Sequence, residues 1–258
     1  MSKQTEREAV ILDTLKYKAR LNTAEVVELL NISESTARRL FSELEQQGKV
    51  IRNYGGILLA QDNQAPYSFE RLVEANVKEK CDIAAFAVGM IEDHDIVYID
   101  SGTTLYQFCV DLAERLEKGK LKDVKFLTNS MANHQVLAPI TDVILIGGEY
   151  RPKRKDFAGY ASNRFIQQFN FTKCFLGADA ISLTGGLMTT DADTASLVEI
   201  AIERSEKSIV LADSSKLGRT SFVSYSPLEK ADVLVTSVNA DGEILQKLKL
   251  KISVVHVV

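Results

Sequence analysis

The chain has 258 residues, enough for one or two domains with a sizeable core, and its 45% hydrophobic and 26% charged residues are ordinary globular composition. Its 31 basic and 35 acidic side chains leave a net charge of −4, which excludes a polybasic nucleic-acid-coating chain and an acidic disordered one. Charge-free apolar stretches such as Ala84–Ile91 fall far short of a membrane span and the polar start MSKQTERE is no signal peptide, so no membrane partner is expected and the expected location is the cytoplasm.

Residues 1–60 carry nine basic and eight acidic side chains and the remainder 22 and 27, an asymmetry that permits a nucleic-acid head on an acidic body. The pattern predicts a first helix over Thr5–Ala19, with Ile11, Leu12 and Leu15 on one face. A second opens at Asn22, where Glu25 three residues on completes a capping box, each side chain satisfying the other residue's free backbone N–H. Val26, Leu29 and Leu30 form its apolar face. The third runs from Ser33 to Gln47, burying Ala37, Leu40, Phe41 and Leu44 and stopped by Gly48. The turn Asn31–Ser33 is so short that the helices must cross steeply, the helix-turn-helix arrangement. The outer face of the third helix carries Ser33, Ser35, Thr36, Arg38, Arg39 and Ser42, short hydroxyls and arginines that suit a major groove of double-stranded DNA. Two apolar runs around Asn53-Tyr54-Gly55-Gly56 predict a hairpin wing, placing Arg52, Asn53 and Tyr54 near phosphates or the minor groove. A plain three-helix packing unit with solvated arginines is the competing reading. The serine-rich face and the glycine wing weigh against it.

Gln61–Ser68 is polar, with one proline and no periodicity, and predicts a linker, drawn over 61–76, which leaves 77–258 as a second domain. A helix is predicted over Val77–Ile91. Apolar, often β-branched runs then follow at Ile96–Asp100, Val124–Asn129, Val143–Gly147, Cys174–Asp179, Ser208–Asp213, Val233–Ser237 and Ile252–Val258. Helical segments are predicted between several of them, at Thr103–Leu116, Ala132–Leu137, Ala161–Phe169, Thr194–Ser205 and Asp241–Leu250. Strand alternating with helix predicts an α/β fold with a parallel, Rossmann-like sheet covered on both faces.

In such sheets ligands bind beyond the carboxyl ends of the strands. Those ends read Asp100-Ser101-Gly102-Thr103-Thr104, Thr128-Asn129-Ser130, Gly147-Gly148, Gly177-Ala178-Asp179 and Asp213-Ser214-Ser215-Lys216. Hydroxyls and glycines ahead of a helix present free N–H groups to an anion, a lysine adds a point charge for phosphate, and aspartates with an asparagine suit sugar hydroxyls. Singly, each is a turn, an N-cap or a surface lysine, and Arg151–Lys155 is most simply a solvated loop, with a loop flanking a site as the alternative; five polar strand ends in one sheet point to a pocket for an anionic ligand. Cys81, Cys109 and Cys174 are scattered, as are His94, His134 and His256, so neither a disulfide framework nor a metal site is expected. No Walker loop and no GxGxxG occurs, and no cofactor is expected.

Taken in order, Ser33–Arg39, Leu44–Arg52, Gly55-Gly56, Ser68–Arg71 and the five strand ends make the chain resemble a DeoR-family transcriptional regulator over nearly its whole length. The resemblance implies a repressor of a sugar uptake or breakdown operon, with an N-terminal winged helix-turn-helix over 1–60. Its C-terminal sensor domain would resemble ribose-5-phosphate isomerase and glucosamine-6-phosphate deaminase. It implies a phosphorylated sugar effector whose phosphate is held by Ser101, Gly102, Thr103 and Thr104 with Lys216 nearby. Asp100, Asn129 and Asp179 would contact the sugar, Gly147-Gly148 would belong to the same site, and Glu199 would be a pocket-side helix residue. Ala37 and Leu40 stand where the family commonly has isoleucine and aspartate. Ala180-Ile181-Ser182 stands where the related isomerases carry further acidic residues, so no enzyme activity is expected; the alternative is a sugar-phosphate isomerase or deaminase with an appended head. One head with so little net charge makes few phosphate contacts, which predicts a homo-oligomer, a dimer or tetramer.

Overall fold

The computed structural model describes residues 3–18, 21–47, 49–53, 56–59 and 67–258. They divide into two compact units, Met1–Pro66 and Tyr67–Val258. The first contains α1 (Lys3–Tyr17), β1 (Leu21–Asn22), α2 (Thr23–Leu30), α3 (Glu34–Gln46), β2 (Val50–Asn53) and β3 (Gly56–Leu59). The predicted stripes meet in one core: Ile11 and Leu15 of α1, Val26 of α2, and Ala37, Leu40, Phe41 and Leu44 of α3 pack with Leu21, Val50 and Ile57. Each buried leucine stabilises the unit by about 1.5–3 kcal/mol.

The caps fix the crossing. Asn22 and Glu25 exchange hydrogen bonds of 2.8 Å in the predicted box. Asn31, left-handed at φ 48°, ends α2, and the Ser33 hydroxyl accepts from the Thr36 N–H to start α3. The wing strands β2 and β3 pair antiparallel, and β1 joins β3 as a third strand. The two residues of β1 are too few to leave a period in the sequence. Gly48, Tyr54, Gly55 and the first part of the predicted linker, 61–66, lie outside the described residues.

The second unit opens with α4 (Phe69–Val73) and α5 (Val77–Ala87), so part of the predicted linker is helical. A single helical turn is too short for its period to stand out. Then come β4 (Ile96–Ile99), α6 (Thr103–Glu117), β5 (Lys125–Thr128), α7 (Met131–Leu137), β6 (Val143–Leu145), β7 (Glu149–Arg151), β8 (Asp156–Ala158) and α8 (Tyr160–Ile166). The remainder comprises β9 (Phe171–Leu176), β10 (Ala180–Ser182), β11 (Gly186–Thr189), α9 (Ala192–Glu203), β12 (Ser205–Leu211), β13 (Val223–Ser226), β14 (Val233–Thr236), α10 (Gly242–Leu248) and β15 (Val254–Val257).

Seven strands form one parallel sheet in the order β15-β14-β12-β9-β4-β5-β6. Succession from β4 runs outward through β5 to β6, then restarts on the other side at β9. The switch point lies between β4 and β9, where a doubly wound sheet opens a crevice beyond its carboxyl ends. One face is covered by a cluster that includes Ile83, Phe108, Leu112 and Leu137, the other by one that includes Ile166, Leu197, Val198 and Leu248. The β7–β8 hairpin and the small β10-β11-β13 sheet, of three- and four-residue strands, are elements the sequence reading lacks. No helix among the described residues is long and apolar enough to cross a membrane.

Candidate functional site

Two surfaces carry the expected residues. On the first unit, α3 turns its stripe inward and leaves Ser33, Ser35, Arg38 and Arg39 exposed, with Thr36 and Ser42 half-buried. Ser33 is committed to the cap, its hydroxyl also within 2.8 Å of Thr36 Oγ1 and 3.0 Å of Ser35 Oγ. Ser42 Oγ donates to the Arg38 carbonyl at 3.2 Å. Arg38 pairs with Glu34 one turn back and Arg39 lies 3.8 Å from Glu43. Exposed pairs of this kind are worth at most about 1 kcal/mol, so a phosphate or a guanine edge outcompetes them. The backbone of Arg52 and Asn53 lies in β2. Tyr54 lies outside the described residues.

On the second unit a narrow cleft, open to solvent, lies at the switch point. Asp100, Ser101, Gly102, Thr103 and Thr104 from the end of β4, Asp179 after β9 and Lys216 after β12 all line it, as expected. Gly102 starts α6 at φ 121°, where an L side chain is strained, and offers no side-chain cap. The first turn of a fifteen-residue helix is thereby open to an anion.

Four expected residues stand elsewhere. Asn129 is buried as a structural bridge, accepting from the Tyr98 hydroxyl at 3.1 Å and donating to the Phe157 carbonyl at 3.0 Å. Gly147 and Gly148 are exposed at the end of β6, the Gly147 carbonyl accepting from Ser162 Oγ. Glu199 is exposed on α9, whose cleft face is Thr194 and Val198; one residue past Val198, it is turned about 100° away.

The expectation of a solvated Arg151–Lys155 loop is corrected, because this turn carries much of the site. Arg151 is locked: Nε and Nη2 each donate to Asp156 at 2.8 Å, Nη2 also reaches Thr194 Oγ1 at 2.9 Å, and Nη1 binds Asp191. Fully buried Asp156 also accepts from Ser101 Oγ at 2.8 Å, so that hydroxyl belongs to the framework. Arg154 is held far less closely. It lines the cleft with Nη1 on Thr190 Oγ1 at 3.1 Å, and its ion pairs to Asp156 and Asp179 are long, 3.7 and 3.6 Å. Its Nε is buried without a hydrogen-bond partner among the described residues. The guanidinium lies over the Tyr67 ring, 3.9 Å from the centroid. The basic run itself was the available signal for Arg154. Tyr67, Thr189 and Tyr225, further cleft residues, carried none, being placed by pairings distant in sequence.

The two cleft aspartates differ. Burial works to raise the Asp179 carboxyl, but Arg154, the Thr190 N–H and the Thr189 hydroxyl hold it below its ordinary value. Asp100 is pushed up to about 7 by burial, against the N–H groups of Ser101 and Gly177, and its Oδ1 is buried without a partner among the described residues. The cleft thus offers two basic side chains, one ionised carboxylate and one carboxyl that keeps its proton in mildly acid solution and loses it around neutral pH. No cluster of His, Cys, Asp and Glu suited to a metal is found among the described residues.

Comparison with known proteins finds a family model for each unit. The family model for the DeoR-like helix-turn-helix domain matches residues 7–63, and that for the DeoR C-terminal sensor domain matches residues 75–238. The chain is 31% identical to the transcriptional regulator IolR of Bacillus subtilis, covering 86% of each chain. It is 31% identical to the lactose phosphotransferase system repressor of Lactococcus lactis, covering 88% of each. It is also 31% identical to the transcriptional repressor GlcR of Bacillus subtilis, covering 90% of this chain and 88% of that one. Among solved structures, ribose 5-phosphate isomerase A of Methanocaldococcus jannaschii superposes with a TM-score of 0.42 at 18% identity over 55% of each chain, a likeness that says nothing of activity.

Proposed function

The chain belongs to the DeoR family of transcriptional regulators, and from that premise we propose that it represses a sugar uptake or breakdown operon and lets go of DNA when its cleft takes up a phosphorylated sugar. One observation carries the reading: a single chain joins an arginine-bearing helix α3 to a switch-point cleft holding both phosphate-type and hydroxyl-type partners. The phosphate would rest on Thr103, Thr104 and the open turn of α6, with Lys216 and Arg154 as counter-charges. Asp100 and Asp179 would read hydroxyls.

The enzyme reading needs a general base. Of its three candidates, Glu199 is off the cleft, and Asp179 is already bonded by Thr189 and Thr190 through Oδ2, which leaves Asp100. We favour binding without turnover, in keeping with relatives named as regulators. Calorimetric titration of the full chain with ribose 5-phosphate, glucose 6-phosphate and fructose 1-phosphate, and with the matching free sugars, tests this. The reading requires that at least one phosphate binds, and its free sugar about tenfold or more weaker, the loss of a charge-assisted contact. Equal affinity for both, or conversion of the bound sugar phosphate at about 1 per second, would overturn it.

A further inference from the structure

One of the residues that grip the start of the second unit, Arg154, also reaches into its cleft. Tyr67 and Leu72 belong to the segment Tyr67–Val73 and line the cleft wall. This segment follows directly on the stretch of chain that leads back to the first unit. Three consecutive residues of the β7–β8 turn hold it. The Lys153 carbonyl accepts from the Phe69 N–H at 2.9 Å, Arg154 covers the Tyr67 ring, and Lys155 pairs with Glu70 at 3.1 Å while lying over the Phe69 ring. Of the three, Arg154 alone also lines the cleft. It does not fully use its surroundings: two carboxylates lie beyond hydrogen-bond range, and its own Nε–H donor has no partner among the described residues.

We propose that the Arg154–Tyr67 contact transmits effector binding: the effector's anionic group draws the Arg154 guanidinium off the Tyr67 ring and so loosens the hold of the β7–β8 turn on the segment that leads to the head. This deepens the function proposed above and rests on it. The competition has a definite sign. A guanidinium on an aromatic face gains about 0.5–2 kcal/mol, whereas a charge-assisted, bidentate contact to an anionic oxygen pair is stronger and better directed. A bound anion therefore wins the guanidinium. Because coupling is reciprocal, a head held on DNA keeps the segment clamped and weakens the effector by the same factor.

The test uses the full chain and three separate readouts: effector affinity without DNA, operator affinity without effector, and operator affinity with effector saturating. In Tyr67→Leu, which removes the ring face, operator affinity without effector is expected within about threefold of the parent, and effector affinity without DNA is expected to rise by up to about threefold, because the anion no longer competes with a ring for the guanidinium. The factor by which effector weakens DNA is expected to fall by roughly threefold or more, the share a cation–π contact accounts for. Tyr67→Phe keeps the face and retains the parent's factor. Unchanged coupling in Tyr67→Leu, or coupling lost only in proportion to effector affinity, overturns the proposal.

A second variant serves if Tyr67→Leu does not fold. The chain has no tryptophan, so Tyr67→Trp places a single reporter under Arg154. Its emission is expected to move to the red on adding the sugar phosphate that binds in calorimetry, and Arg154→Leu in that background abolishes the move. Emission that stays fixed at saturation overturns the proposal. If no sugar phosphate binds the parent, the functional reading fails on its own. Inorganic phosphate titrated into Tyr67→Trp then decides whether an anion displaces the guanidinium.

Discussion

The chemistry of the cleft turns on a few residues, and Asp100 is the most exacting. Its carboxyl is pushed up to about 7 by burial, so the folded chain holds a proton there that the unfolded chain releases near 4. The stability this group contributes is full below about pH 4 and is lost as pH rises toward 7, by roughly 4 kcal/mol over about three units. Denaturant titrations across that window are expected to show this decline in the parent, and Asp100→Asn to flatten it. The same proton matters for binding. An anion beside ionised Asp100 is repelled, so sugar-phosphate affinity is expected to drop by up to about fivefold between pH 7 and pH 8, above the range where the phosphate itself titrates. Calorimetry at the two pH values checks this. An equal drop in Asp100→Asn would show that the proton sits elsewhere. Residue chemistry was also where the sequence spoke most plainly. Asp100, Thr103, Thr104, Asp179 and Lys216 were legible because a strand end followed by a helix start is a local pattern. Asn129 was misassigned because its side chain turns to Tyr98 and Phe157, a choice made by packing across the sheet.

At the scale of elements, the long periodic segments could be read and the short ones could not. The stripes of α3 and α6 and the seven-residue β12 run each span enough residues for a period to emerge, whereas α4, β1, β7 and β10 have two to five. The β7–β8 turn shows the cost of missing short elements: its arginines read as solvated until their partners 40 residues away in α9 are in place. Glycines at element ends divide the same way. Gly148 has φ 155°, and an added Cβ would stand 2.0 Å from Ser162 Oγ and 2.8 Å from the Ala158 carbonyl, while at Gly147 it would meet nothing within 4 Å. Gly148→Ala is expected to lower stability by about 1–3 kcal/mol through packing, and Gly147→Ala to leave both stability and effector affinity unchanged. A large loss of effector affinity in Gly147→Ala would return that glycine to the binding site. On α3, Arg38→Ala is expected to weaken operator binding by about 1–3 kcal/mol. Glu34→Gln, which frees Arg38 and removes a negative charge from the DNA face, is expected to strengthen it. Weaker binding by Glu34→Gln in a filter or anisotropy assay would mean that the ion pair positions Arg38 for its contact.

For the whole molecule, family and fold class followed from motif order, which survives even where single motifs are weak. The contact proposed to couple the two units was not legible, because Tyr67 and Arg154 meet across 87 residues of sequence. A head with nine basic and eight acidic side chains makes few phosphate contacts, so the account expects two or more heads on one operator. The logarithm of operator affinity should then fall against the logarithm of salt about twice as steeply as one head allows, and light scattering should give at least a dimer at micromolar concentration. A monomer with a shallow slope would contradict it. The central claim joins head, cleft and coupling, and one measurement tests all three: fluorescence anisotropy of the full chain on DNA from upstream of its own gene cluster, with and without a panel of sugar phosphates and the corresponding free sugars. Tight, salt-sensitive binding is expected, which one phosphorylated sugar weakens by about 5–150-fold and its free sugar does not. DNA binding that no sugar phosphate alters, or no binding at all, would contradict it.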